Sequence, residues 1–137
     1  MSIDFQFLQP LLVERLSEIA GLTVKTADSV ADMARAVTGD VPTAVVRCLG
    51  MKRLSEGNPD AVQVEQTWLI GLIRRGAITE ADTSDGQLIG QIVEKLHGWT
   101  PDIQAADPLT YDGTENEPGA TREHVSLFTT TVEINLR

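Results

Sequence analysis

The side chains that most often carry chemistry are few in this sequence. It has two histidines, His97 and His124, and a single cysteine, Cys48. His97 closes an apolar helical run just before Gly98, where a cation complements the C-terminal end of a helix dipole. His124 stands beside Glu123 at the opening of an alternating strand pattern, which reads as a surface or interface position rather than a general base or ligand. Cys48 lies in the apolar run Thr43–Leu49 and reads as a small buried hydrophobe, not a nucleophile. One cysteine also excludes an intramolecular disulfide and a multi-thiolate zinc site within the chain. No serine occupies a nucleophile elbow, and no glycine-rich loop of the phosphate-binding type follows a strand. We therefore expect no catalytic residue, no cofactor and no metal, and read the protein as a non-enzyme.

Charged clusters remain. The stretch from Asp107 to Glu117 offers oxygens from Asp112, Thr114, Asn116 and Glu117, but not the glycine or flanking helices of a calcium-binding hand, so it reads as a solvated acidic loop. Lys52 and Arg53, with Arg47 nearby, form one basic cluster, and Arg74 with Arg75 another. Neither is interleaved with aromatic residues as a nucleic-acid surface would be. Each reads as a solvated patch or as one side of an intersubunit salt bridge.

Elements that must position these residues follow from periodicity. Leu8, Leu11, Leu12, Leu16 and Ile19 recur at helical spacing. Pro10 restricts the helix start to about residue 8, and Gly21 lies just past its end. A second helix is expected after Asp28 or Ser29, with Val30, Met33, Ala34 and Val37 on one face and Gly39 at its end. The third is the clearest. Ser84 and Gln87 have capping-box spacing, Leu88, Ile89, Ile92, Val93 and Leu96 share a face, and Gly98 stops the helix.

Strands are expected at Thr43–Leu49, Ala61–Arg74 and His124–Arg137, with a short edge strand at Leu109–Tyr111. In the long central run Val62, Val64, Trp68, Ile70 and Leu72 share parity, and only Gln66 breaks it. Near the C-terminus Phe128, Val132, Ile134 and Leu136 face one way, while Val125 and Leu127 take the other parity, which implies a bulge or a change of buried face. The predicted core is Leu12, Leu16, Ile19, Val45, Val64, Trp68, Ile70, Leu88, Ile92, Leu96, Phe128, Val132 and Ile134. Trp99, in the turn His97-Gly98-Trp99-Thr100-Pro101, is expected to fold back over the helix end, making Trp99, Pro101 and Trp68 structural anchors.

The fold class is thus α+β: a mostly antiparallel sheet with two or three helices packed on one face. With 137 residues the chain suits one domain, 1–137, with extended loops at about 50–60 and 99–122. Two strands of this length exceed what so small a domain covers on both faces, so their excess is expected to meet a neighbour. The net charge of −9 disfavours general binding to nucleic acid, and 4% aromatic content leaves little for a ring-lined pocket. Met1–Pro10 lacks a basic stretch and an apolar run, so neither signal peptide nor membrane contact is expected.

Asp4–Leu16, the helix Gly86–Leu96 running into Gly98-Trp99-Thr100-Pro101, and the strand Phe128–Leu136, in this order, resemble the tail terminator (tail completion) proteins of long-tailed bacteriophages, in particular the Mu-like family. The resemblance implies a structural virion protein at the head-proximal end of the tail, assembled in the host cytoplasm. It implies a homo-oligomeric ring, a hexamer, that caps the tail tube, ends its polymerisation and forms the head-docking surface. Its partners would be the tail tube protein and a head–tail connector or stopper protein, with DNA passing through the lumen unbound. On that footing the subunit or partner contacts are expected among Lys52, Arg53, Glu56, Arg74, Arg75, Asp112, Glu115, Glu117 and Arg122. The alternatives are another neck or tail structural protein (a connector or stopper) and a small peptide-binding adaptor that recruits its ligand by strand addition.

Overall fold

The computed structural model describes residues 7–27, 42–54, 61–74, 84–101, 106–117 and 122–135. Helix α1 spans Gln9–Leu16, β1 Thr23–Thr26, β2 Thr43–Arg53, β3 Ala61–Arg74, α2 Asp85–Leu96, β4 Thr110–Glu117 and β5 Arg122–Asn135. The helix expected between Asp28 and Gly39 lies outside the described residues, as does Glu56.

Pro10 falls in the first turn of α1, where its missing N–H costs no helical hydrogen bond. This helix is shorter than its apolar spacing implies: it stops at Leu16. Ile19 is buried through a following turn instead, in which its N–H donates to Leu16 O. For α2 the capping box is formed in both directions, with Gln87 N–H donating to Ser84 Oγ at 3.2 Å and Gln87 Oε1 accepting from Ser84 N–H at 3.3 Å. Leu88, Ile92 and Leu96, one turn apart, are its buried stripe, with Ile89 and Val93 half-buried beside it.

Five strands form one sheet in the order β1-β2-β3-β5-β4; β1 is parallel to β2 and every other pair is antiparallel. The expected α+β class is what the structure shows. One face carries both helices. Leu8, Leu12 and Leu16 of the α1 region meet Leu88, Ile92 and Leu96 of α2 over Ala44, Val46, Val64, Trp68, Ile70, Leu72, Phe128 and Val132. Gln66, the polar exception in β3, is fully buried here, and its Oε1 accepts the Trp68 indole N–H at 3.1 Å. The exception is therefore the partner that a buried indole needs.

On the other face Ala27, Val45, Leu69 and Ile73 form a second cluster with Val125 and Leu127. Val45, expected in the main core, belongs to this one, because parity sends Ala44 and Val46 to the helices. The parity of Val125 and Leu127 marks this second buried face and no bulge: β5 pairs with β3 without interruption from Asn135 opposite Ala61 to Arg122 opposite Arg74. Bulges fall elsewhere, at Leu49 in β2 and at Asp112 in β4.

Three sequence boundaries shift. β2 does not end at Leu49 but continues through Gly50–Arg53, in the expected 50–60 loop. β4 is longer than Leu109–Tyr111 and takes up much of the expected 99–122 loop, so Asp112 and Glu115 stand on an edge strand. β1, Thr-Val-Lys-Thr, has no counterpart in the sequence reading.

Candidate interaction surface

Covered and uncovered halves meet within β2. Thr43–Val46 is buried throughout, and from Leu49 onward every residue is exposed. Leu49, Met51 and Leu54 are 48%, 41% and 46% exposed, large apolar side chains that gain nothing from facing water. Between them stand Lys52 and Arg53, both exposed. The part of β3 paired with this exposed half, Gln63–Thr67, alternates between buried and more open residues, whereas Trp68–Arg74 is buried on both faces. The bulge at Leu49 reverses which residues face the helices. Met51 therefore pairs with Gln66 on the helix side, while Lys52 lies opposite Glu65 on the open face. Leu54 N–H donates to Gln63 O at 3.0 Å, prolonging the β2–β3 pairing past Arg53.

The opposite edge is β4. Its helix side is tied down: the Tyr111 ring lies 5.4 Å from that of Phe128, and Thr114 Oγ1 is hydrogen-bonded to Tyr111 Oη and, at 2.8 Å, to Ser126 Oγ. Asp112 and Glu115 are exposed. Glu117 and Arg122 lie at the facing ends of β4 and β5, and Arg75 is outside the described residues.

Arg74 is not at the surface. Its side chain is 1% exposed, and Nε donates to Asp85 Oδ1 at 2.9 Å. Asp85 Oδ2 lies 3.2 Å from His124 Nε2, and His124 Nδ1 is hydrogen-bonded to Asn116 Oδ1. The array resembles catalytic machinery in composition, yet both imidazole nitrogens of His124 are engaged and none is left for a substrate. It joins the end of β3, the start of α2, β5 and β4. His97 is likewise tied internally: its Nδ1 accepts the Tyr111 N–H at 3.1 Å.

At the far end of α2, Gly98 N–H donates to Leu109 O and Leu109 N–H to Trp99 O, clamping the turn to the start of β4. Trp99 is half-buried against the main core with the Arg15 guanidinium 5.4 Å from its ring centroid, and Pro101 is buried. Trp68 is fully buried. The Cys48 thiol, half-buried, is pushed above its ordinary pKa by burial, against smaller opposing effects of the Gly50 backbone and Arg47. Among the described residues no group of three or more His, Cys, Asp or Glu is arranged to hold a metal ion. No described helix is long and apolar enough to cross a membrane.

The described polar side chains of Arg74, Asp85, His124 and His97 are thus spent on internal ties, while β2 presents exposed apolar and basic side chains and β4 exposed acidic ones. Residues 1–125 match the family model of the phage tail terminator protein, and the chain belongs to that family. It is thus a structural protein of phage tail completion, a virion component that works with other tail and head components. No curated protein matches the chain. Sequence reasoning missed Leu49, Met51 and Leu54 as surface residues. The available signal was the unbroken strand-forming run on either side of Gly50, which glycine disguised as a turn.

Proposed function

We propose that this protein assembles as a hexameric ring that caps the phage tail tube, ends tube polymerisation and forms the surface to which the head docks. The observation that carries this reading is the exposed half of β2, where Leu49, Met51 and Leu54 stand in the open beside Lys52 and Arg53. A neighbouring chain that covers these apolar side chains gains roughly 25 cal/mol per Å² of apolar surface removed from water. The tail tube protein and a head–tail connector or stopper are the partners of the two ring faces. Exposed Lys52, Arg53, Asp112 and Glu115, together with Glu56, Arg75, Glu117 and Arg122, supply the charged contacts, whereas buried Arg74 acts within the monomer. With a charge of −9 per chain the ring repels DNA, which passes its bore unbound. The Gly98-Trp99-Thr100-Pro101 turn supports a place in the Mu-like branch of the family.

Negative-stain microscopy of the purified protein, alone and mixed with tail tubes, tests the proposal. Six-fold rings seated on one end of tubes of fixed length are expected. Monomers that leave tube growth unaltered would sink it.

A further inference from the structure

Two opposite edges of the sheet carry opposite charge. On one side β1 covers only Thr43–Val46 of β2, and Ala27 N–H adds a bond to Val46 O. From Arg47 to Arg53 no described strand lies outside β2. That stretch holds Arg47, Lys52 and Arg53, with Leu49 and Met51 exposed among them. Arg47 shares the parity of Val45, away from the helices. Its Nε is buried and makes no hydrogen bond among the described residues. On the other side β4 is the outermost strand, with Asp112 at its bulge. Glu115, opposite Val125, lies on the same open face as Lys52.

A free strand edge is a template for pairing, and proteins usually blunt it with charge. Here the charge selects the partner as well as blunting the edge. Two β2 edges repel each other, and so do two β4 edges, but a β2 edge attracts a β4 edge. Through the alternation β2-β3-β5-β4 the two edge strands run in opposite directions. Side-by-side repetition of the sheet about an axis along its strands therefore brings β4 antiparallel to β2, the better pairing. We infer that the open half of β2 in one copy of this chain receives β4 of a second copy as an added strand. Arg47 and Lys52 then lie on the face of Glu115 and Arg53, opposite Val64, on the helix side of the same edge, so that the basic edge meets the one holding Asp112 and Glu115. Each copy then offers one donor and one acceptor edge, a head-to-tail contact that repeats and closes by rotation. This rests on the ring reading above and names its contact.

The test uses two full-length charge-reversed chains, K52E/R53E and D112K/E115K, examined by native mass spectrometry and light scattering beside the wild type. Each alone is expected to assemble at least about tenfold more weakly than the wild type, because its two edges now carry the same sign. Mixed in equal amounts they are expected to recover assembly as alternating rings, since each reversed edge finds a complementary one. Circular dichroism verifies that both chains fold. The milder pair K52A/R53A and D112A/E115A, expected to weaken assembly without rescue on mixing, carries the same test where a reversed chain does not fold. Wild-type assembly by both variants, or variants whose mixture stays dissociated, overturns the edge pairing and leaves the ring standing. A wild type that stays monomeric even on tail tubes overturns the ring, and the edge pairing with it.

Discussion

Arg74 Nε lies 2.9 Å from Asp85 Oδ1, and both side chains are almost wholly removed from water, at 1% and 11% exposure. The pair is eleven residues apart in sequence and ties the last residue of β3 to the first turn of α2. Its worth is best read from its loss. Asp85→Ala removes the carboxylate that faces a buried guanidinium, and breaking such a pair costs roughly 3–5 kcal/mol. Arg74→Met leaves the Asp85 carboxylate without its guanidinium in turn, but Asp85 is the more exposed partner and keeps His124 Nε2 at 3.2 Å, so this loss is expected to be the smaller of the two. Urea denaturation of the two single mutants and the double mutant measures the coupling. A double mutant whose loss equals the sum of the two single losses would show that the two groups are not coupled.

Gln66 makes a second testable tie. Its side chain is fully buried and accepts the Trp68 indole N–H at 3.1 Å. Gln66→Leu restores the apolar alternation of β3 and strands the indole donor, so it is expected to destabilise by about 1–3 kcal/mol despite its greater hydrophobicity. A stabilised Gln66→Leu protein would mean that the indole has another acceptor.

Legibility in the sequence followed from how local each signal is. β3 was readable end to end because its apolar parity needs no partner to be seen, and α2 because Ser84 and Gln87 announce its start. β1 was not, since four half-polar residues become a strand only by lying alongside Thr43–Val46. Gly50 and Asp112-Gly113 fall in the expected 50–60 and 99–122 loops, yet each adjoins a bulge inside a strand, so β2 and β4 were cut short. The charges of the candidate surface were visible at Lys52, Arg53, Asp112 and Glu115. Their placement on opposite edges was not, because it depends on sheet order. Arg74 looked like a surface residue for the same reason: the carboxylate that receives it arrives only when α2 docks.

The Cys48 thiol supplies a pH-dependent prediction. Burial raises its pKa, so the folded chain holds the proton more tightly than the unfolded chain does. The associated stability is intact below the unfolded thiol's pKa and is lost as pH climbs through the folded value. At pH 8 alkylation of native protein is expected to run several-fold slower than in denaturant, and the stability of the wild type, but not of Cys48→Ser, is expected to drop in the alkaline range beyond. Equal alkylation rates in the native and denatured chains would overturn the shift.

Ile92 tests the placement of α2. Fully buried between Leu88 and Leu96, it packs α2 against the sheet. Ile92→Asp puts an unpaired carboxylate into that core, at a cost of several kcal/mol that is comparable with the stability of a whole domain. Loss of the folded state by circular dichroism is expected, and a soluble, cooperatively melting Ile92→Asp chain would refute the helix's orientation.

Two glycines around the same helix are expected to respond with opposite sign to the same substitution. A methyl group at Gly90 or at Gly98 would meet no heavy atom within 4 Å, so neither position is guarded by packing. Gly90 lies in the interior of α2, where glycine forfeits backbone entropy for nothing in return, and Gly90→Ala should stabilise by roughly 0.5–1 kcal/mol. Gly98 sits at φ +76° in the turn that hands the chain to Trp99, a conformation that costs an L residue about 1–2 kcal/mol, so Gly98→Ala should destabilise by about that amount. Thermal melts read both effects, and Gly98→Asn, whose side chain tolerates the left-handed region better, should fall between alanine and the wild type. A Gly98→Ala protein as stable as Gly90→Ala would show that the turn after α2 has relaxed out of this conformation, and with it the bonds from Gly98 and Trp99 to Leu109 that fix the start of β4.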